Sequence, residues 1–315
     1  MSHETDFHPL TGIRITTLAT NLPGPVAAAR LRRLGGEVIK VEPPIGDPLS
    51  RLCPAWYESL VEGQKVLRLN LKDTGERAEL DRLLAESDLL LTSNRRAALD
   101  RLSLEWAELH ARYPRLSHVA IVGHSSPDED KAGHDLTYQA ESGLVVPPDL
   151  PRTLLADLIA AERVVSAALA LLIARGRNHR GSYMEVALVE ATKALADPWR
   201  YGATTPDGPL GGGFPGYNLY RARCGWVALA ALEIHFWQRL QSELELSDPT
   251  REDLVRIFLT RDADEWEAWA DARDLPLVAV RETIPASSHD SDVAFGCEKE
   301  ALKRGVQTSQ ELDQE

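Results

Sequence analysis

Between residues 12 and 44 the chain reads as a strand, a helix and a second strand, an order that leaves few folds open. Gly12 to Leu18 is a short strand pattern. Pro23-Gly24-Pro25 opens a helix, with proline in a first turn where its missing N–H costs nothing. Val26 to Leu34 is rich in Ala, Leu and Arg, which are good helix formers. Gly35-Gly36 ends that helix, and Glu37 to Glu42 forms the next strand ahead of Pro43-Pro44. Two strands joined by a crossover helix run parallel, so the chain starts a parallel sheet.

The alternation continues. Lys65 to Leu71 reads as a strand, Thr74 to Glu86 as a helix and Asp88 to Thr92 as a strand. Leu104 to Tyr113 is a helix, and His118 to Val122 a strand. Asp157 to Arg175 is a long apolar helix ending at Gly176, followed by a strand from Tyr183 to Leu188. The expected fold class is α/β: a large doubly wound parallel-sheet domain with a smaller α+β domain. Gly and Pro crowd residues 206–216, which places a boundary there. The expected division is residues 1–205, then a small domain at 206–285, then a polar tail at 286–315 that returns to the large domain. The small domain holds a hairpin, Tyr217 to Ala222 and Trp226 to Leu232, and helices opening at Thr250 and Asp262.

Composition excludes several classes of function. A net charge of -13 over 315 residues disfavours nucleic acid and anionic membranes as partners, since both select a basic face. The cysteines, Cys53, Cys224 and Cys297, are far apart, so neither a disulfide framework nor a metal site is expected. The polar N-terminus resembles no signal peptide, and the longest apolar stretch, Ala167 to Ala174, is too short to cross a bilayer. A cytoplasmic location is expected.

The chemistry-bearing segment is Gly133-His134-Asp135, followed by a lone acid, Asp157, between Leu154-Leu155-Ala156 and Leu158-Ile159-Ala160. A histidine and a separate, partly buried carboxylate suit proton transfer beside a carbonyl. An isolated loop histidine is more often a surface residue. Asp157 at a helix start reads equally well as an N-cap, and the helix dipole there is expected to hold it ionised. Glu233, after the strand Val227 to Leu232, reads first as a cap of the following helix, and His235 as structural. Lys40, Lys65, Lys72, Asn94, Arg95 and Arg96 are candidate phosphate contacts, with solvated surface charge as the alternative.

Taken together, several segments resemble the family III CoA-transferases, the CaiB/BaiF type. They are Leu18 to Pro25, Gly36 to Pro44 with Gly46-Asp47-Pro48, Leu69-Asn70-Leu71-Lys72, Ser87 to Leu91 and Gly181 to Leu188. The similarity runs from about Leu10 to Leu240 and is nearest to the α-methylacyl-CoA racemase type. It implies that Asp157 is the family's helix-start aspartate, the residue that forms an acyl anhydride in the transferases. His134 and Glu233 match the two residues that the racemases add. The resemblance further implies a CoA thioester as substrate, no cofactor beyond it, a homodimer, and Lys40, Lys72, Asn94 and Arg95 near the nucleotide. Three activities stay open: racemase, CoA-transferase, and a CoA-binding subunit without catalysis.

The chain departs from the family pattern in four places. His134 and Asp157 are 23 residues apart (157 minus 134), a shortened spacing. The segment before the site reads Gly123-His124-Ser125-Ser126-Pro127 where a Gly-Phe-Gly type is usual, and Arg95-Arg96-Ala97 stands for Arg-Pro-Gly. The C-terminal part is short.

Overall fold

The computed structural model describes residues 7–129 and 131–281. The tail expected at 286–315 and Cys297 lie outside them. The described residues form two units, one running to Leu195 and the other starting at Ala196. The division falls ten residues before Pro206 (206 minus 196), because the intervening turns bond forward into the second unit. Leu210 N–H donates to the Ala203 carbonyl and Gly208 N–H to that of Thr205.

The first unit carries β1 (Arg14–Thr17), α1 (Pro23–Arg33), β2 (Glu37–Glu42), α2 (Leu49–Leu52), α3 (Pro54–Val61), β3 (Lys65–Arg68) and α4 (Thr74–Glu86). It continues with β4 (Leu89–Thr92), α5 (Arg96–Arg101), α6 (Trp106–Arg112), β5 (Ser117–Val122), α7 (Asp135–Glu141), α8 (Leu155–Asn178), β6 (Tyr183–Ala187) and α9 (Leu188–Leu195). The six strands pair in the order β3-β2-β1-β4-β5-β6, every pair parallel. This is the expected doubly wound α/β fold.

Period-2 alternation splits the sheet's apolar residues between two cores. Ile15, Leu89, Leu91, Val119 and Ile121 join α1 and α8 in one cluster. Val41 and Leu90 join Leu80, Leu83 and Leu84 of α4 in another. The buried stripe of α8 is Ala156, Ala160, Val164, Ala167 and Leu171, spaced three or four residues apart. It packs on α1, whose Ala27 and Ala28 are fully buried. Small residues on both helices let the two backbones come close, and this fixes the N-terminal end of α8. The helix runs two residues past Gly176, and His179 caps it in the left-handed region at φ 58.

The second unit holds α10 (Asp197–Arg200), β7 (Tyr217–Arg221), β8 (Trp226–Ala230), α11 (Ile234–Glu243), α12 (Arg251–Phe258), α13 (Ala263–Asp271) and β9 (Leu277–Ala279). Its three strands form an antiparallel sheet in the order β7-β8-β9. Trp266, Phe258, Tyr220 and Leu254 fill its core. Reciprocal capping boxes start α12 at Thr250–Asp253 and α13 at Asp262–Glu265, as the spacing predicts; each cap is worth about 1 kcal/mol.

Candidate active site

The sheet order reverses between β1 and β4, and in open α/β sheets ligands bind beyond the carboxyl ends of the strands at such a point. The two loops that leave these strands are tied together. Thr20 N–H donates to Ser93 Oγ at 3.0 Å, and Ser93 Oγ donates to the Thr20 carbonyl at 3.3 Å. Asn94 and Arg95 follow directly. Arg95 is exposed at the N-cap position of α5, and Lys72 is exposed in the connection from β3 to α4.

Lys40 has a different place. Its side chain is fully buried, and its ammonium donates to the Ala19 carbonyl at 3.0 Å and to Asp47 Oδ2 at 2.8 Å. Asp47 Oδ1 in turn accepts the N–H groups of Asn21 and Leu49. Glu42, also fully enclosed, lies 3.7 Å from the ammonium and accepts the Tyr57 hydroxyl. An ammonium already shared among these oxygens faces inward, so Lys40 braces the β1–α1 loop rather than presenting a cation at the surface.

Asp157 is the third residue of α8, not its N-cap; that position belongs to Leu154, which has no side chain able to cap. The Asp157 carboxyl is half-buried. Burial, and secondly the charge of Asp135, push its pKa from 3.8 up to about 7. The expectation that the helix dipole holds it firmly ionised therefore gives way: the dipole is a weak, screened effect, and desolvation outweighs it here.

Asp135 opens α7 and is almost wholly buried. Its Oδ1 accepts the Asp157 backbone N–H at 3.1 Å, and its Oδ2 accepts Gln139 Nε2 at 2.6 Å. Gln139, one turn on, also donates to the Thr153 carbonyl at 3.3 Å. These bonds clamp the start of α8 to α7. His134, the residue before Asp135, is exposed at the N-cap of α7. Its backbone N–H donates to Thr137 Oγ1 at 3.0 Å, and that hydroxyl donates back to its carbonyl. His134 and Asp157 thus flank the two ends of one hydrogen bond.

Tyr138 packs between two glycines. A Cβ on Gly123 would sit 2.3 Å from Tyr138 Oη, and one on Gly133 would sit 2.6 Å from its ring. Burial raises the Tyr138 hydroxyl's pKa, the Asp157 and Glu141 charges add to the rise, and Arg95 opposes it. Arg95 and Asp157 therefore act on one ring. His124 sits edge-on to Tyr138 at 5.4 Å and bonds Glu141 at 2.9 Å. Asp135 was read only as the neighbour of His134, and the roles of Asp135, Tyr138 and Gln139 went unread because α7 was not recognised as a helix. The signal was present as an Asp and a Gln one turn apart with an aromatic residue between them.

Glu233 lies in the second unit, exposed at the N-cap position of α11, and its side chain makes no cap bond.

The sequence profile of CoA-transferase family III matches residues 10–294. The chain belongs to CoA-transferase family III. It is 30% identical to the human α-methylacyl-CoA racemase over 320 residues, covering 91% of this chain and 81% of the relative. It is also 30% identical to a succinyl-CoA–D-citramalate CoA-transferase of Chloroflexus aurantiacus over 214 residues, covering 62% of this chain. The match spans 53%, about half, of that relative. Family III thus supplies relatives named for both activities, and the chain is an enzyme of the CoA-transferase or racemase type. The fold matches the crystal structure of a hypothetical protein from Mycobacterium tuberculosis, with a TM-score of 0.77, 24% identity, and 87% of this chain and 84% of that one covered. A CaiB/BaiF family protein from Brucella suis gives a TM-score of 0.73 at 22% identity, covering 87% of this chain and 84% of that one. Among the described residues no helix is long and apolar enough to cross a membrane.

Proposed function

We propose that the chain is an acyl-CoA racemase or epimerase that inverts the α-carbon of a 2-methyl-branched acyl-CoA. One observation carries this reading. The bond from the Asp157 N–H to Asp135 sets the start of α8 beside His134, and the carboxyl at that point titrates near neutrality. Inversion needs a base on one face of the carbon and an acid on the other. A carboxyl with a pKa of about 7 serves as either at neutral pH.

In this reading one of the pair takes the α-proton, and the Cα–H electrons pass into an enolate whose charge rests on the thioester oxygen. The other group returns a proton to the opposite face, and the Cα–H bond re-forms. The first N–H groups of a helix have no intrahelical partner. Asp135 takes that of Asp157, which leaves those of Leu155 and Ala156 for the enolate oxygen. Lys72 and Arg95 are assigned to the CoA end, and Lys40 to the support of their neighbouring loop. Glu233 enters from the family resemblance, and Glu233→Gln measures its part. A homodimer belongs to the same proposal, and sedimentation at micromolar concentration tests it.

The relatives named as CoA-transferases support a second reading, in which the ionised Asp157 attacks the thioester carbonyl and expels CoA thiolate. The two readings separate in deuterium oxide with a single 2-methylacyl-CoA. The racemase incorporates deuterium at Cα without any free acid, and His134→Ala cuts that exchange about a hundredfold to ten-thousandfold. Exchange absent without a carboxylate acceptor, with CoA transfer present when one is supplied, defeats the racemase reading.

A further inference from the structure

The crossover from β5 to β6 runs over the α1 face, where α8 packs on both strands. The opposite face of these strands presents His118, Ala120, Tyr183 and Glu185, which pair in register as His118 with Tyr183 and Ala120 with Glu185. Trp106 of α6 reaches over this face, 6.5 Å from the His118 ring and 5.8 Å from that of Tyr183. Between them lies a cavity of about 340 Å³.

Three residues lining the cavity carry a buried polar atom without a partner: Asn94 Oδ1, His118 Nδ1 and Glu129 Oε2. Unsatisfied buried polar atoms are uncommon in folded proteins, and each calls for a reason. His118 is only 1% exposed and spends Nε2 on the Thr92 hydroxyl at 2.9 Å, so its free Nδ1 is the less easily explained. Burial drives the His118 pKa down to about 3, so the ring is neutral and adds no positive charge. Asn94 Oδ1 and Glu129 Oε2 are acceptors, which phosphate oxygens cannot satisfy.

The charge around the cavity has one dominant sign. Among the described residues, Asp100, Glu105, Glu129 and Glu185 line it against one cation, Arg96, which lies 3.6 Å from Glu129 Oε1 and leaves Oε2 free. Asp100 hydrogen-bonds Glu105 and raises its pKa, and Arg96 offsets only part of the rise. Aromatic faces and carboxylates both favour a cation with N–H donors. The volume lies at the small end of the range for ligand pockets.

We propose that this cavity binds a small organic ammonium ion with an aromatic or branched apolar body. The ammonium meets Glu129 Oε2 and Asn94 Oδ1, and the body lies against Trp106 and Tyr183. The site is built on the flank of the sheet and does not depend on the acyl-CoA reading.

Calorimetric titration of the protein with 2-phenylethylammonium, 2-phenylethanol and 3-phenylpropionate, without any CoA ester present, tests this. The ammonium should bind with a Kd below about 1 mM, the alcohol at least about tenfold more weakly, and the carboxylate not at all. Glu129→Gln should weaken the ammonium about tenfold, and Ala120→Phe, which fills the cavity, should abolish binding. If Ala120→Phe does not fold, the exposed Glu185→Gln takes its place and should weaken binding severalfold. Equal binding of ammonium and alcohol, indifference to both glutamate variants, or no ammonium binding at about 10 mM overturns the proposal.

Discussion

Asp135 Oδ1 accepts the backbone N–H of Asp157 at 3.1 Å, so one buried carboxylate holds the residue that carries another. The bond orients the start of α8, while the charge on Asp135 resists ionisation of Asp157. Asp135→Asn keeps an acceptor and removes the charge. The Asp157 pKa should fall from about 7 but stay above 3.8, because burial is the larger cause. The acid limb of kcat/KM should move to lower pH by a fraction of a unit to about one unit. An unmoved limb, with activity retained, would show that Asp135 does not act on Asp157 through its charge.

Stability should follow the same titration. The folded pKa of Asp157, about 7, lies above the unfolded value of 3.8, so the folded chain holds this proton more tightly. No penalty exists below the unfolded value. It grows as pH rises from there and is complete above the folded value. Asp157→Asn removes the penalty. The variant should match the wild type at about pH 3.5 and be more stable by about 1–3 kcal/mol at about pH 8, after allowance for partial exposure. Thermal melts of both proteins at the two pH values measure this, and a variant less stable at the higher pH contradicts it.

The parallel sheet was legible in the sequence, because β4 and β5 carry apolar runs and Pro23, Gly35 and Gly36 punctuate the first helix. The capping boxes at Thr250 and Asp262 gave helix starts to the residue. Asp157 was legible as a lone acid in an apolar run, but its charge state was not. That depends on Asp135, 22 residues away (157 minus 135), and on burial, which only the packed chain determines. Lys40 was misplaced for a similar reason. A lysine within a strand reads as surface charge until Asp47 and the Ala19 carbonyl fold over it.

Lys40→Met should therefore act on the fold. It leaves the enclosed Asp47 carboxylate without its cation and Glu42 with Arg68 alone at 3.8 Å, and breaking such a buried pair typically costs about 3–5 kcal/mol. Denaturant midpoints should fall accordingly. A midpoint within error of the wild type would place the ammonium in solvent.

Gly123→Ala should displace Tyr138, since the new Cβ would meet its hydroxyl at 2.3 Å. A loss of about 1–3 kcal/mol is expected, as for other overpacked sites. Tyr138→Phe removes the clashing oxygen, so the double variant should recover part of that loss. Strictly additive losses would rule out this contact.

Arg95→Glu should weaken CoA binding about tenfold or more, because charge-assisted hydrogen bonds to phosphate become repulsion. Unchanged affinity for CoA would remove Arg95 from the nucleotide end.

His134, Asp135, Tyr138 and Asp157 all lie on the single crossover between β5 and β6, neighbouring strands whose residues are joined in register from His118–Tyr183 to Val122–Ala187. The packing of α8 on α1 holds the crossover, and β6 adds the anchor at its far end. A nascent chain that has left the ribosome only as far as Asp157 carries every one of these side chains but has no outer strand to close the loop. The closed loop that carries the four is thus a late product of translation, completed after Ala187 has emerged, and a mutation that loosens β6 acts on their setting without touching any of them.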